Sequence, residues 1–320
     1  MENLPFNFLG LEDKYSDYKK AKFIILPVAY DTTTSYQPGT RFGPEAILSA
    51  SRFLELYDGE LKTEAYKIGI CTRSEMRPNL ESPEQMIKEI EKIAAKILSD
   101  KKFLITLGGE HTITLGVIRA FKKFHRDFSL LSLDAHLDLR DKYEGTKFNH
   151  SCVMRRIHEE KIPILLAGTR SLSREEAEFA KKQNLKIFHH TEISKIALLT
   201  NEAIFSSNLE SSNLHLIHSQ QSKWQQEVIS SLPTKKIYLS IDLDCFDPGI
   251  MPSVGTPEPG GFSWYEVTTL LFNLVLAHQI IGFDIVELSP NRANKAPDFL
   301  AAKLCYRLLG LIMKGSGLNI

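Results

Sequence analysis

The chain has 320 residues, with 39 Lys plus Arg against 39 Asp plus Glu and 43% hydrophobic content. That length and apolar fraction suffice for one large α/β domain or two smaller ones, and zero formal charge argues against a nucleic-acid or acidic-membrane surface, leaving small molecules as the expected partners. Four scattered cysteines with no C-x-x-C pair, no basic-then-apolar leader and no stretch near the roughly 20 apolar residues of a membrane helix together predict a cytoplasmic protein.

In chain order, short apolar β-branched runs alternate with longer amphipathic segments. The runs are Phe23 to Val28, Phe103 to Leu107, Phe128 to Leu133, Ile164 to Ala167, Ile237 to Ile241 and Ile280 to Ile285. The alternation predicts a central, mostly parallel sheet covered by helices. Ser82-Pro83-Glu84-Gln85 offers an N-cap, a first-turn proline and a capping-box glutamine ahead of a helix running to Ser99. Ser173 with Glu176 and Ser263 with Glu266 repeat the capping-box spacing, and Leu300, Leu304, Leu308 and Leu311 mark one face of a last helix from about Pro297 to Met313. Leu198 to Pro233 is rich in Ser, Asn, Gln and His and reads as a surface insertion in a single domain spanning 1–320. His189, His190, His215 and His218 fall in or near it without companion carboxylates or thiols, so packing or solvated histidines are the better reading.

Three of the strands end in chemistry. The second strand is followed by Gly108-Gly109-Glu110-His111, the third by Asp134-Ala135-His136-Leu137-Asp138 and the fifth by Asp242-Leu243-Asp244. In an extended segment alternate side chains share a side, so Asp134, His136 and Asp138 can face one volume, as can Asp242 and Asp244. Loops at the carboxyl ends of parallel strands line the ligand crevice, so the two combs can converge and His111 can join them. Unpaired carboxylates in such a cluster would raise one another's pKa and destabilise the fold, which calls for cations. Four aspartates overcharge a single ion; two ions sharing carboxylates approach balance and generate a hydroxide nucleophile. An oxygen-rich set with some imidazole suits Mn²⁺. Asp247, before Pro248-Gly249, reads as a turn residue, and Glu110 either orients a ligand or caps the helix that begins near Thr112.

These motifs resemble the ureohydrolase family of arginases, agmatinases and relatives. Gly108 to His111, Asp134 to Asp138 and Ser240 to Pro248 match its three motifs in order, and Gly255 to Gly261, Pro38 to Pro44 and Phe283 to Pro290 extend the resemblance over nearly the whole chain. It implies an arginase-like three-layer α/β/α fold and a homo-oligomer, trimeric or hexameric. It also implies one manganese on His111, Asp134, Asp138 and Asp242 and a second on Asp134, His136, Asp242 and Asp244, two per subunit, so that Asp138 serves the catalytic centre as a ligand. By the same resemblance His150 shuttles a proton to the departing amine and Glu287 binds the guanidinium, roles that suit a side chain titrating near neutrality and a carboxylate near the metals.

Asn149 to Arg156 and Ser35 to Pro44 look more like agmatinases than arginases, and Arg140 to Phe148 lacks the Ser-Gly-Asn run with which arginases read an amino acid. Hydrolysis of agmatine to urea and putrescine by a metal-bridging hydroxide is the leading expectation. Met251 to Val254 and Gln37 depart from the usual pattern in loops that shape the substrate tail's pocket, so arginine, aminopropylagmatine and guanidinobutyrate stay open. A formimidoylglutamase-like amidine hydrolase would share the metals, and a metal-free regulatory member is the non-enzyme alternative.

Overall fold

The structure, a computed structural model, describes residues 5–193 and 222–315. Among these residues eight strands form one sheet: β1 (Phe23–Val28), β2 (Ile70–Thr72), β3 (Phe103–Gly108), β4 (Ser129–Leu133), β5 (Ile164–Thr169), β6 (Lys186–His189), β7 (Lys236–Asp242) and β8 (Gln279–Val286). Their spatial order is β2-β1-β3-β8-β7-β4-β5-β6, with every pairing parallel. The six strands expected from apolar runs are all present. The other two, β2 and β6, are short edge strands.

Alternation along the strands divides the interior in two. Phe23, Ile25, Ile105, Leu131, Leu239 and Phe283 pack on one face under helices α1 (Gly43–Ser51), α6 (Lys223–Ser230), α7 (Trp264–Ala277) and α8 (Ala296–Gly315). Ile24, Leu26, Leu104, Leu130 and Tyr238 pack on the other, under α2 (Pro83–Ser99), α3 (Ile113–Phe124), α4 (Val153–Glu159) and α5 (Arg174–Lys182). This is the three-layer α/β/α arrangement. Ser82 accepts a hydrogen bond from the Gln85 N–H at the start of α2, and Ser173–Glu176 and Ser263–Glu266 form complete capping boxes.

The expected surface insertion needs correction at its C-terminal end. Lys223–Ser230 is a helix whose Trp224, Val228 and Ile229 enter the core, because Trp224, Val228 and Ile229 stand at helical spacing within an otherwise polar stretch. The earlier part of that segment, with His215 and His218, lies outside the described residues. Cys71, Cys152, Cys245 and Cys305 are all buried and unbridged. Among the described residues no helix is long and apolar enough to cross a membrane.

The sheet order places the chemistry. Four central neighbours, β3, β8, β7 and β4, are aligned so that Leu107 pairs with Ile285, Ile285 with Ile241 and Ile241 with Leu133. The residues just beyond that line include Gly108, Asp242 and Asp134. Chain order reverses between β4, which leads outward to β5 and β6, and its neighbour β7, which leads the other way to β8, and a crevice opens at such a switch point.

Candidate metal centre

His111 follows β3 through Gly109, whose approach to β1 leaves no room for a side chain: a Cβ there would lie 1.9 Å from the Tyr30 carbonyl oxygen. The Gly109 and Glu110 amides donate to the carbonyls of Val28 and Tyr30, and the Gly109 carbonyl accepts from the Glu287 N–H. So fixed, the buried His111 ring sets Nδ1 at 3.2 Å from Asp134 Oδ2, 3.2 Å from Asp138 Oδ2 and 3.3 Å from Asp242 Oδ2. His136 Nδ1 lies 2.8 Å from Asp244 Oδ2 and 3.7 Å from Asp134 Oδ1.

All six sequence-selected residues converge, with Asp134 between the two histidines. Their backbone differs from two plain extended combs. Asp138 adopts a left-handed conformation with φ 51°, and Asp242 caps a single 3-10 turn, Leu243–Cys245, by accepting from the Asp244 N–H. The halves are joined directly, since Asp244 Oδ1 accepts from the Ala135 N–H at 2.9 Å.

Electrostatics show what the cluster calls for. Burial, then the charges of Asp138 and Asp244, pushes Asp134 up to about 7. Burial, then Asp244 and Asp134, raises Asp242 well above the carboxylate range. Burial opposes charge on Asp244 and His136, but their mutual contact outweighs it, holding Asp244 at about 2 and His136 at about 11. His111 Nδ1 and Asp134 Oδ2 are buried atoms without a hydrogen-bond partner. Two groups, His111–Asp134–Asp138 and Asp134–His136–Asp244, bring ligand atoms close enough to hold an ion each, sharing Asp134. The donor chemistry and the orphaned atoms fit a pair of divalent cations.

The cluster floors a cleft of about 240 Å³ lined also by Ser35, Arg140, Tyr143, His150, Thr256 and Glu287. His150 Nε2 contacts the hydroxyls of Ser35, 3.3 Å away, and Ser151, 3.1 Å away, and burial lowers its pKa. Glu287 is held at φ 67°, and its Oε1 accepts from the His111 N–H at 2.7 Å. Gly255 keeps the space beside Oε2 open: a Cβ there would crowd that oxygen at 3.3 Å. Burial, then the charge of Glu110, pushes the Glu287 carboxyl well up.

Sequence reasoning gave Glu110 two alternative roles and left Arg170 and Asp284 without one. The two oxygens of Glu110 accept from the Thr33 N–H at 2.7 Å and hydroxyl at 2.5 Å, and Thr33 Oγ1 in turn accepts from the His150 N–H at 3.2 Å. Glu110 therefore ties the Ser35 loop to the His150 turn. Arg170 donates to the carbonyls of Asp244, Phe246, Glu258 and Pro259, fixing the loops after β7. Asp284 lies fully buried inside β8, and a carboxylate within an otherwise apolar central strand is a signal the sequence already carried. Asp247 accepts from the Gly249 N–H and is the turn residue expected.

The arginase family model matches residues 21–218 and 199–310. The N(1)-aminopropylagmatine ureohydrolase of Synechocystis is 38% identical over 312 residues, covering 96% of this chain and 94% of that protein. The agmatinase of Pyrococcus horikoshii is 34% identical, covering 92% and 93%. The crystal structure of agmatine ureohydrolase from Thermoplasma volcanium superposes with a TM-score of 0.81 at 30% identity, covering all of this chain and 98% of that one. Matched in sequence and in architecture along nearly its full length, the chain belongs to the arginase family.

Proposed function

We propose that this chain hydrolyses the guanidino group of an agmatine-type amine, releasing urea and the free amine, with two manganese ions per subunit. The observation that carries this reading is the convergence of six ligand groups, five of them buried and His136 partly exposed, beside a carboxylate, Glu287, whose second oxygen stays open. His111, Asp134, Asp138 and Asp242 would hold one ion and Asp134, His136, Asp242 and Asp244 the other, in keeping with the two groups that share Asp134. When bound, the ions supply Lewis acidity toward water at neutral pH.

The chain's own residues do the rest. Glu287 pairs with the planar guanidinium and turns its carbon toward the carboxylate cluster. His150, lowered by burial and steadied at Nε2 by two hydroxyls, carries a proton to the departing amine. Ser35 and Tyr143 border the path of the alkyl tail.

Agmatine, yielding putrescine, is the substrate the loops favour; N(1)-aminopropylagmatine, yielding spermidine, is favoured by the name of the 38% identical relative. A single domain over 1–320, a trimeric or hexameric homo-oligomer and a cytoplasmic location complete the reading. Metal-loaded protein assayed against agmatine, N(1)-aminopropylagmatine, arginine, guanidinobutyrate and formimidoylglutamate is expected to release urea fastest from one of the first two. No urea from any guanidino compound would sink the proposal, and formamide from formimidoylglutamate would replace it with the amidine-hydrolase alternative.

A further inference from the structure

The far side of the His111 ring meets a buried polar chain that the reaction itself does not use. His111 Nε2 lies 2.9 Å from Ser240 Oγ, and Ser240 Oγ donates to Asp284 Oδ1 at 2.6 Å. Asp284 Oδ2 accepts from Tyr238 OH at 2.7 Å and from Thr114 Oγ1 at 3.0 Å. Ser240, Asp284, Tyr238 and Thr114 are all fully buried, three of them on the central strands β7 and β8 and one on α3.

Proton counting gives this chain a direction. A serine hydroxyl has one hydrogen, and here it is committed to the Asp284 carboxylate. Ser240 must then accept from His111, which places a proton on Nε2 and makes Nδ1 the ring nitrogen left to a cation beside Asp134, Asp138 and Asp242. Among the described residues His136 has no matching arrangement: its Nε2 lies 3.8 Å from Glu258 Oε1.

We infer that Asp284, acting through Ser240, is a positioning residue that fixes the tautomer and ring orientation of His111 and so supports one of the two metal ions selectively. The inference rests on the metal assignment proposed above. Removing such support typically lowers metal affinity by about 10–100-fold. Tyr238 and Thr114 satisfy the remaining carboxylate oxygen, which keeps the buried charge tolerable without a cation of its own.

Equilibrium titration of the metal-free full chain with Mn²⁺ is the test, using Ser240→Ala, Asp284→Asn and, as a control that leaves the His111 link intact, Tyr238→Phe. Wild type is expected to bind two ions. Ser240→Ala and Asp284→Asn should weaken one site by about 10–100-fold and spare the other, whereas Tyr238→Phe should change both sites less than about 3-fold. Cobalt-loaded Ser240→Ala should also show an altered d–d spectrum for one ion only, a readout that loss of stability alone would not move. Equal weakening of both sites, or unchanged affinity with only a lower melting temperature, would overturn the relay. Should Asp284→Asn fail to fold, Ser240→Ala decides, because it leaves the Tyr238 and Thr114 bonds to Asp284 in place. A wild-type chain that binds no metal would refute the proposed function instead, so the two failures are distinguishable.

Discussion

Asp134 takes part in more of the site than any other side chain. It accepts from the His136 N–H at 2.6 Å through Oδ1, faces His111 through Oδ2 and belongs to both ion-sized groups. Asp134→Asn keeps the volume and one acceptor oxygen but removes the shared charge. Turnover should fall by well over about 100-fold, more than the loss of a residue that merely supports a ligand, while the far-ultraviolet circular dichroism stays native. Unchanged turnover would refute its bridging role. All six ligand candidates were legible as residue types at strand ends. Glu110 was not, because its two acceptor oxygens serve Thr33, seventy-seven residues away in sequence, and no local spacing encodes that contact. Ser240 and Asp284 stood in view as polar interruptions of apolar strands, yet which partner satisfies each depends on the pairing of β7 with β8.

At the scale of elements, the turn after β3 bears the tightest steric demand. Its Gly109 peptide bonds to β1 on one side and to the start of the Glu287 turn on the other, so three strand ends share one residue. Gly109→Ala would drive a methyl group into the Tyr30 carbonyl, and forcing atoms into a filled interior costs about 1–3 kcal/mol. Chemical denaturation should show a loss of that size, and metal affinity should fall with it because His111 and Glu287 move together. A neutral effect on both would show that the turn tolerates a different path. Strands with four or more apolar residues and helices with complete capping boxes could be read from sequence because local pattern and tertiary role agree in them. Ile70–Thr72 has only three residues, and Lys186–His189 sits half-exposed at the sheet edge, so neither carries a clear period. The helix at Lys223–Ser230 is short and emerges from a polar segment, and its apolar face shows only where Trp224 meets Phe262 in a stacked pair.

For the whole molecule, the carboxylates couple stability to pH and to metal. Burial foremost raises Asp134 and Glu110 each to about 7. A carboxyl whose pKa is higher folded than unfolded binds more protons in the folded state, so its stabilisation is present at low pH and is lost as pH rises from about 4 to about 7. Metal-free protein should therefore melt at a lower temperature at about pH 7.5 than at about pH 5.5, and Mn²⁺ should restore more of the loss at the higher pH. Calorimetry at both values checks this; a larger metal effect at the acidic value would contradict it. The sheet order has another outcome, this one in time. β8, the last of the described strands in chain order, lies between β3 and β7, which have no hydrogen bonds to each other. All six ligand groups therefore leave the ribosome before β8, on two half-sheets with open inner edges exposed to wrong pairing, and β8 closes the seam. Of the two proposed ions, the one on Asp134, His136, Asp242 and Asp244 draws only on β4 and β7, which pair directly, whereas the one that needs His111 rewards the molecule only after the seam is closed.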